Sequence, residues 1–269
     1  RGTGMSMPLL KMGIKSNGRL LLLFMGIITI YAGVITAMYD PELGEGINAM
    51  AESMPELFAA FGMQNPGITL LDFIINYLYG FILIVIPFIY TMIMCYKLAA
   101  QYIDKGSMAY LLNTHYSRKK ILVTQGFVLL LGILLLVVYA SVLVIVFSAL
   151  MYEGELEVSE FLVLNAGLLF LEFFLAALGF LTACMFNELK YSVGIGAGLG
   201  LIFVLIQMLS QVNDKVNFLK YFTPLSLFMP EEIVQYEPEA LAGVGILFVL
   251  TFCLFTVSVA GFEKRDLPL

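Results

Sequence analysis

The feature that most constrains this chain is a series of six long apolar stretches, separated by shorter polar segments. The hydrocarbon core of a bilayer is about 30 Å thick, and a helix needs about 20 apolar residues to cross it. In lipid every backbone polar group must be bonded internally, so stretches of this length predict transmembrane α-helices. The six stretches cover residues 20–39, 73–98, 121–151, 161–186, 192–212 and 241–262.

The composition agrees with this interpretation and excludes a soluble globular fold. Of the 269 residues, 61% are hydrophobic and 13% are charged, whereas soluble domains contain about 45–50% apolar and about 25% charged residues. The first apolar stretch is too long for a cleavable signal peptide and has no small-residue cleavage site. We therefore expect an all-α integral membrane protein with six transmembrane helices.

The distribution of lysine and arginine predicts the orientation of the chain, because basic residues are enriched in cytoplasmic loops. With a cytoplasmic N-terminus, twelve of the 14 basic residues lie in cytoplasmic segments, and only Lys215 and Lys220 lie outside. Most acidic residues fall in the opposite loops, 40–71, 152–160 and 213–240. The sequence thus predicts a multi-pass protein of the cell membrane with both termini in the cytoplasm.

Three regions are expected along the chain: a cytoplasmic interfacial segment at 1–19, a six-helix transmembrane domain at 20–262, and a cytoplasmic tail at 263–269. In the first region, apolar residues alternate with lysines, which is typical of a short helix at the membrane interface. A disordered basic tail is the alternative. Prolines in the external loops 40–71 and 213–240 predict short, broken extracellular helices.

The cytoplasmic loop 99–120, AAQYIDKGSMAYLLNTHYSRKK, carries the most information about function. The charged pair Asp104 and Lys105 precedes a possible turn at Gly106 and Ser107, and a helix-like run with apolar side chains follows. A short amphipathic helix of this kind could dock in a groove of a soluble partner. The alternative is an ordinary basic loop without a partner.

One acidic residue, Glu172, lies in the middle of a predicted span. An ionisable residue inside the membrane costs a few kcal/mol on insertion and is a functional candidate by default. The alternative is a protonated glutamate that is hydrogen-bonded within the bundle, with Asn165 or Gln207 as the nearest polar residues. The fifth span holds two overlapping pairs of small residues four apart, which allow helices to pack closely in lipid: Gly194, Gly196, Gly198 and Gly200.

Nothing in the sequence predicts catalysis, a metal site or a cofactor in this chain. The only histidine is His115, and Cys95, Cys184 and Cys253 lie in apolar runs without metal-binding spacing. No GxxxxGK[ST] phosphate-binding loop is present. We therefore expect a protein that is not an enzyme and that does not bind nucleic acid.

The order of several short motifs resembles the permease subunit of type-2 ABC exporters. In that family the second span is followed by an acidic-basic-Gly-Thr turn, a Leu-Leu pair and a Thr-Pro-x-Ser-Arg-basic stretch. His115 stands where the family usually has proline. Met54-Pro55-Glu56, the segment 221–230 and the aromatic-basic tail 262–267 also resemble family motifs. The loop residues that match are Asp104, Lys105, Gly106, Ser107, Leu111, Leu112, Thr114, Ser117, Arg118 and Lys119.

The resemblance implies a division of labour between this chain and a separate ABC ATPase subunit, which would bind ATP and Mg²⁺. Two permeases, either copies or related chains, would assemble with two ATPases among membrane lipids. Independently of the resemblance, we expect the first, second and fifth spans to line the cargo route, the fifth because its glycines permit close packing. The cargo classes of the family include peptides, antibiotics and lipids. The coupling helix would comprise Asp104, Lys105, Gly106, Ser107, Met108, Leu111, Leu112 and Arg118.

Two other functions remain open from the sequence. An ion-coupled secondary transporter would contain intramembrane charges and internal repeats, and the sequence shows one such acid and no visible repeat. A membrane scaffold without transport activity is the other alternative.

Overall fold

The computed structural model describes residues 6–40, 44–61, 63, 69–100, 117–186 and 188–264, and every regular element in these ranges is helical. Six of the described helices are long and apolar enough to cross a membrane, which confirms the predicted all-α membrane fold. We number them as the first to sixth spans. Their bounds are Met7–Ala37, Leu70–Ala100, Arg118–Met151, Val158–Met185, Leu189–Val212 and Pro238–Glu263.

The first span begins earlier than its apolar stretch, and it is one continuous helix from Met7 to Ala37. The segment expected as a separate interfacial helix is helical, but it belongs to this span. Contacts with the third span explain the continuity. The backbone N–H of Ser6 donates to Thr124 Oγ1 at 3.0 Å, and Gly13 faces Val128 closely enough that a Cβ would lie 3.0 Å away.

The second span is irregular and changes its helix type several times. It opens as an α-helix, Leu70–Ile74, with the side chain of Thr69 as its N-cap, and continues as a π-helical turn, Ile75–Tyr79. The main α-helix, Ile82–Cys95, contains Pro87, which removes one backbone hydrogen bond. A second π-helical turn, Tyr96–Ala100, ends the span. Such turns are rare and are often found at functional sites.

The first and third spans run parallel along their whole lengths. Beyond the contacts near Ser6, the hydroxyl groups of Thr29 and Tyr139 lie 2.7 Å apart, and Tyr152 OH donates to the carbonyl oxygen of Tyr39 at 2.6 Å. Parallel packing requires both helices to start at the same end of the bundle. Their basic N-terminal turns therefore lie together.

The fourth span is the centre of the bundle and contacts the second, third, fifth and sixth spans. Aromatic pairs join it to its neighbours, with ring centroids 5.9 Å apart for Tyr79 and Phe161 and 5.3 Å apart for Phe180 and Phe255. These pairs also show that the second, fourth and sixth spans are parallel to one another. The alternation of the helices gives the bundle two chemically different ends.

We call these the basic end and the acidic end. The basic end carries Lys11, Lys15, Lys97, Arg118, Lys119, Lys120, Lys190 and Lys264, and the acidic end carries Asp40, Glu52, Glu56, Asp72, Glu153, Glu155, Glu157, Asp214, Glu231, Glu232, Glu237 and Glu239. The short helices expected in the long loops are present at the acidic end. They are the α-helices Gly44–Ser53, Pro55–Ala60 and Pro230–Val234 and the 3-10 helices Asn217–Phe222 and Pro224–Leu227.

Candidate functional site

The predicted coupling helix falls almost entirely outside the described residues. Of its eight residues only Arg118 is described, as the first residue of the third span. Ser117 Oγ caps this helix by accepting from the backbone N–H of Lys120 at 3.3 Å. The π-helical turn Tyr96–Ala100 contacts the beginning of the third span. The chain therefore leaves the basic end and returns to it at neighbouring points.

Glu172 is fully buried inside the bundle, and neither of its carboxylate oxygens has a hydrogen-bond partner. The two partners suggested by the sequence are not in place. Asn165 Oδ1 instead accepts from Tyr79 OH at 2.6 Å, and Asn165 Nδ2 donates to the carbonyl oxygen of Phe161 at 2.8 Å. The side-chain oxygen of Gln207 is also buried and has no partner.

The helical register shows which neighbour Glu172 faces. Asn165, Glu172 and Gly179 are seven residues apart and share one face of the fourth span. Asn165 bonds to the second span through Tyr79, and Gly179 packs on Met92 of the same span. Glu172 therefore lies on the face toward the second span, at the level of the segment that contains Pro87.

The four glycines of the fifth span divide into two pairs with different surroundings. A Cβ at Gly196 would lie 2.5 Å from Thr182 Oγ1, and one at Gly200 would overlap the ring of Phe88. This pair packs against the fourth and second spans. A Cβ at Gly194 or Gly198 would meet no atom within 4 Å. Close packing inside the described bundle thus uses one of the two predicted pairs.

A cavity of about 500 Å³ opens at the acidic end, between the second span, the end of the fifth span and the segment 213–232. Its apolar part includes Ile75, Tyr79 and Ile84. Its polar side chains include one base and three acids, of which Asp214 and Glu232 are exposed and Glu231 is half-buried. The polar lining residues are Gln207, Ser210, Gln211, Asn213, Asp214, Asn217, Lys220, Ser226, Glu231 and Glu232.

Hydrogen bonds hold the wall of this cavity against the fifth span. Thr223 Oγ1 donates to the carbonyl oxygen of Phe203 at 3.1 Å and accepts from the backbone N–H of Leu225 at 3.3 Å. Ser226 Oγ donates to the carbonyl oxygens of Lys220 and Thr223, each at 2.8 Å. These bonds fix the loop that carries the acids relative to the membrane helices.

The sequence reasoning missed this cavity, although a signal was present. Gln207, Ser210, Gln211 and Asp214 follow the helical spacing of three and four residues, which gives the end of the fifth span a polar face. A search for apolar stretches averages the hydropathy over all faces of a helix, so it does not detect this polar face. No cluster of three His, Cys, Asp or Glu side chains that could hold a metal ion occurs within the described ranges.

The comparison with known proteins does not assign the chain to a family. None of the protein-family models matches the sequence, and none of the curated proteins matches it. The function must therefore be argued from the residues and their arrangement.

Proposed function

We propose that this chain is the permease subunit of an ATP-driven exporter of the type-2 ABC class, which moves a peptide, antibiotic or lipid-like cargo out of the cell. The observation that carries the proposal is the loop between the second and third spans. Its sequence resembles the coupling helix of that class, and its two ends are held together at the basic end by packed helices. The remaining described connection at this end, around Glu188, is short.

The loop has the properties that energy coupling requires. ATP would be hydrolysed in a separate soluble subunit, yet the work is done in the membrane, so a contact must join the two. In the coupling role proposed here, Leu111 and Leu112 would supply apolar anchors for a groove on the ATPase, and Asp104 and Arg118 would supply charges beside them. Exposed ion pairs contribute only about 0–1 kcal/mol each, so the leucines should dominate the contact.

The test is to co-express this chain with a candidate ABC ATPase subunit, co-purify the two proteins and measure ATP hydrolysis. Leu111→Asp combined with Leu112→Asp should detach or uncouple the ATPase and leave the six spans folded. Lys190→Asp is the matched control, because it makes the same change in net charge at the same end of the bundle. If the double variant keeps its partner and transports cargo normally, the loop is not the coupling element.

The proposal includes a location and an orientation. The protein lies in the plasma membrane, and its basic end and both termini face the cytoplasm. Cysteines placed at Glu52 and Ser107 should therefore react oppositely with an impermeant thiol reagent in intact cells. Cys253 is exposed and must first be replaced by serine. Labelling of both new cysteines in intact cells would contradict this topology.

One observation favours a second candidate, an ion-coupled transporter. A fully buried acid without a hydrogen-bond partner, Glu172, is the kind of group that carries protons in such proteins. Transport by reconstituted protein that follows a proton gradient in the absence of ATP, and that is abolished in Glu172→Gln, would select this function over the ABC exporter.

A further inference from the structure

We propose that the cavity at the acidic end is a binding site for amphipathic organic cations, molecules with an apolar body and an ammonium, guanidinium or phosphonium charge. Within the exporter proposed above, this would make such cations its cargo class. Binding itself does not depend on the ATPase. The two ideas can therefore fail separately.

The charge of the cavity selects cations. Asp214, Glu231 and Glu232 line it together with one base, Lys220. Glu231 is half-buried, so its charge is screened less by salt than the charges of the exposed Asp214 and Glu232. The Lys220 Nζ lies 5.5 Å from the ring centroid of Tyr221, a residue outside the lining set. The net charge of the lining favours a positive ligand.

The rest of the lining selects an organic ligand over a metal ion. Its apolar lining residues with accessible surface include Ile84, Val212 and Met229, which cannot replace the hydration shell of an inorganic cation. Neutral polar side chains, including Gln207 and Gln211, complete the lining and leave an organic ligand room for hydrogen bonds. No three potential metal ligands cluster in the part of the chain that is described.

The size and rigidity of the cavity also suit a small molecule. Its volume of about 500 Å³ falls within the range of about 300–1,000 Å³ typical of ligand pockets. Tyr79 is fully buried and held in place by its 2.6 Å hydrogen bond to Asn165. The second span, which carries Ile84, is therefore anchored to the fourth span before any ligand arrives.

The test uses two probes of the same shape and opposite charge, tetraphenylphosphonium and tetraphenylborate. The full chain is placed in nanodiscs of phosphatidylcholine, which has no net charge, and empty nanodiscs give the background from partition into lipid. We expect saturable binding of radiolabelled tetraphenylphosphonium that weakens with added salt and is displaced by the unlabelled cation. Tetraphenylborate, measured in a separate sample because the two ions precipitate together, should show no binding above the empty-nanodisc background. Equal binding of the two ions would overturn the proposal.

Variants locate the binding. Glu231→Gln combined with Glu232→Gln should weaken tetraphenylphosphonium binding about five- to tenfold, as expected for two partly screened charges. The control pair, Glu237→Gln with Glu239→Gln, removes the same charge from the same end but does not line the cavity. An equal loss in both pairs would mean that only the surface potential attracts the probe, and the site would be refuted.

A gain of affinity guards against misfolding as the explanation. Lys220→Gln removes the one base of the lining and should strengthen binding of the cation about two- to fivefold. A misfolded protein cannot produce this result. Unchanged or weaker binding in this variant would contradict the proposed charge selection, whatever the outcome of the ATPase experiment.

Discussion

The fourth and fifth spans have nearly the same mean hydropathy, 2.2 and 2.1, but very different places in the bundle. In the most apolar part of each helix, 61% of the fourth span is buried and 17% of the fifth. In a soluble protein the exposed apolar residues of the fifth span would have to be buried, whereas in a membrane they can face the lipid. Hydropathy therefore locates the spans but does not tell which of them is central in the bundle. Small and polar side chains that contact other helices give that information.

The largest expected effect comes from placing a charge in the buried span. Glu172→Lys puts a cation where no hydrogen-bond partner is present, and an uncompensated buried charge costs about 3–5 kcal/mol. We expect the variant to be lost from the membrane fraction or to aggregate in detergent, as measured by expression level and size-exclusion chromatography.

Glu172→Gln is the control for this variant, because the amide keeps the shape and the hydrogen-bonding groups of a neutral acid. It should express and elute like the wild type. Normal behaviour of Glu172→Lys would show that the fourth span is not the closed centre of the bundle.

The next effect separates the two glycine pairs of the fifth span. Gly200→Leu forces a side chain onto Phe88, and overpacking of this kind costs about 1–3 kcal/mol. Gly198→Leu adds the same side chain two residues earlier, where a Cβ has open space, and should change stability by less than about 0.5 kcal/mol. Thermal unfolding in detergent measures both.

A second measurement concerns the open pair. If two copies of the chain meet through Gly194 and Gly198, Gly198→Leu should lower the yield of crosslinked dimer in membranes while leaving thermal stability intact. Equal destabilisation by both leucine variants would contradict the division of the fifth span into a packed and an open face.

The sequence predicted more of the fold than of the candidate site. The spans were predicted to within a few residues at most ends because length and hydropathy are local properties. The helix of the first span begins at Met7, ahead of the apolar stretch, because its first turns contact Thr124 and Val128, which are distant in sequence. Partners of buried polar groups were also unpredictable, because Asn165 bonds to Tyr79 across two helices.

The hydrogen bond between Tyr79 and Asn165 gives a smaller effect in the fourth span. Tyr79→Phe leaves Asn165 Oδ1 without its donor and should destabilise the protein by about 1–2 kcal/mol. A double-mutant cycle with Asn165→Leu should give a coupling energy of about 0.6 kcal/mol, the average for such bonds in membranes, and at most about 1.7 kcal/mol.

Ser210→Ala is the matched change in the fifth span. Ser210 Oγ donates only locally, to the carbonyl oxygen of Gln207 at 2.8 Å. We expect its loss to be nearly neutral in the same unfolding assay.

Additive effects of the Tyr79 and Asn165 variants in the double-mutant cycle would show that the hydrogen bond between these two side chains contributes nothing to stability.

The smallest expected effect concerns Tyr39, at the acidic end of the bundle. Tyr39 is buried just beyond the first span, and its ring packs on Tyr152 with centroids 5.1 Å apart. Burial, together with the negative charge of Glu155 and a hydrogen bond to that carboxylate, raises the pKa of Tyr39 above its ordinary value of 10.0. The folded protein therefore holds the phenolic proton more tightly than the unfolded chain does.

The sign of the pH dependence follows from this difference in proton affinity. Below pH 10 the stabilising contribution of Tyr39 is complete, and above it the unfolded state gains by losing the proton, so the contribution decreases. Tyr39→Phe should cost about 0.5–1.5 kcal/mol at neutral pH, the contribution of one hydrogen bond. The difference in unfolding temperature between wild type and Tyr39→Phe should narrow as the pH rises past 10. A constant difference across that range would mean that the Tyr39 hydroxyl and the Glu155 carboxylate do not interact.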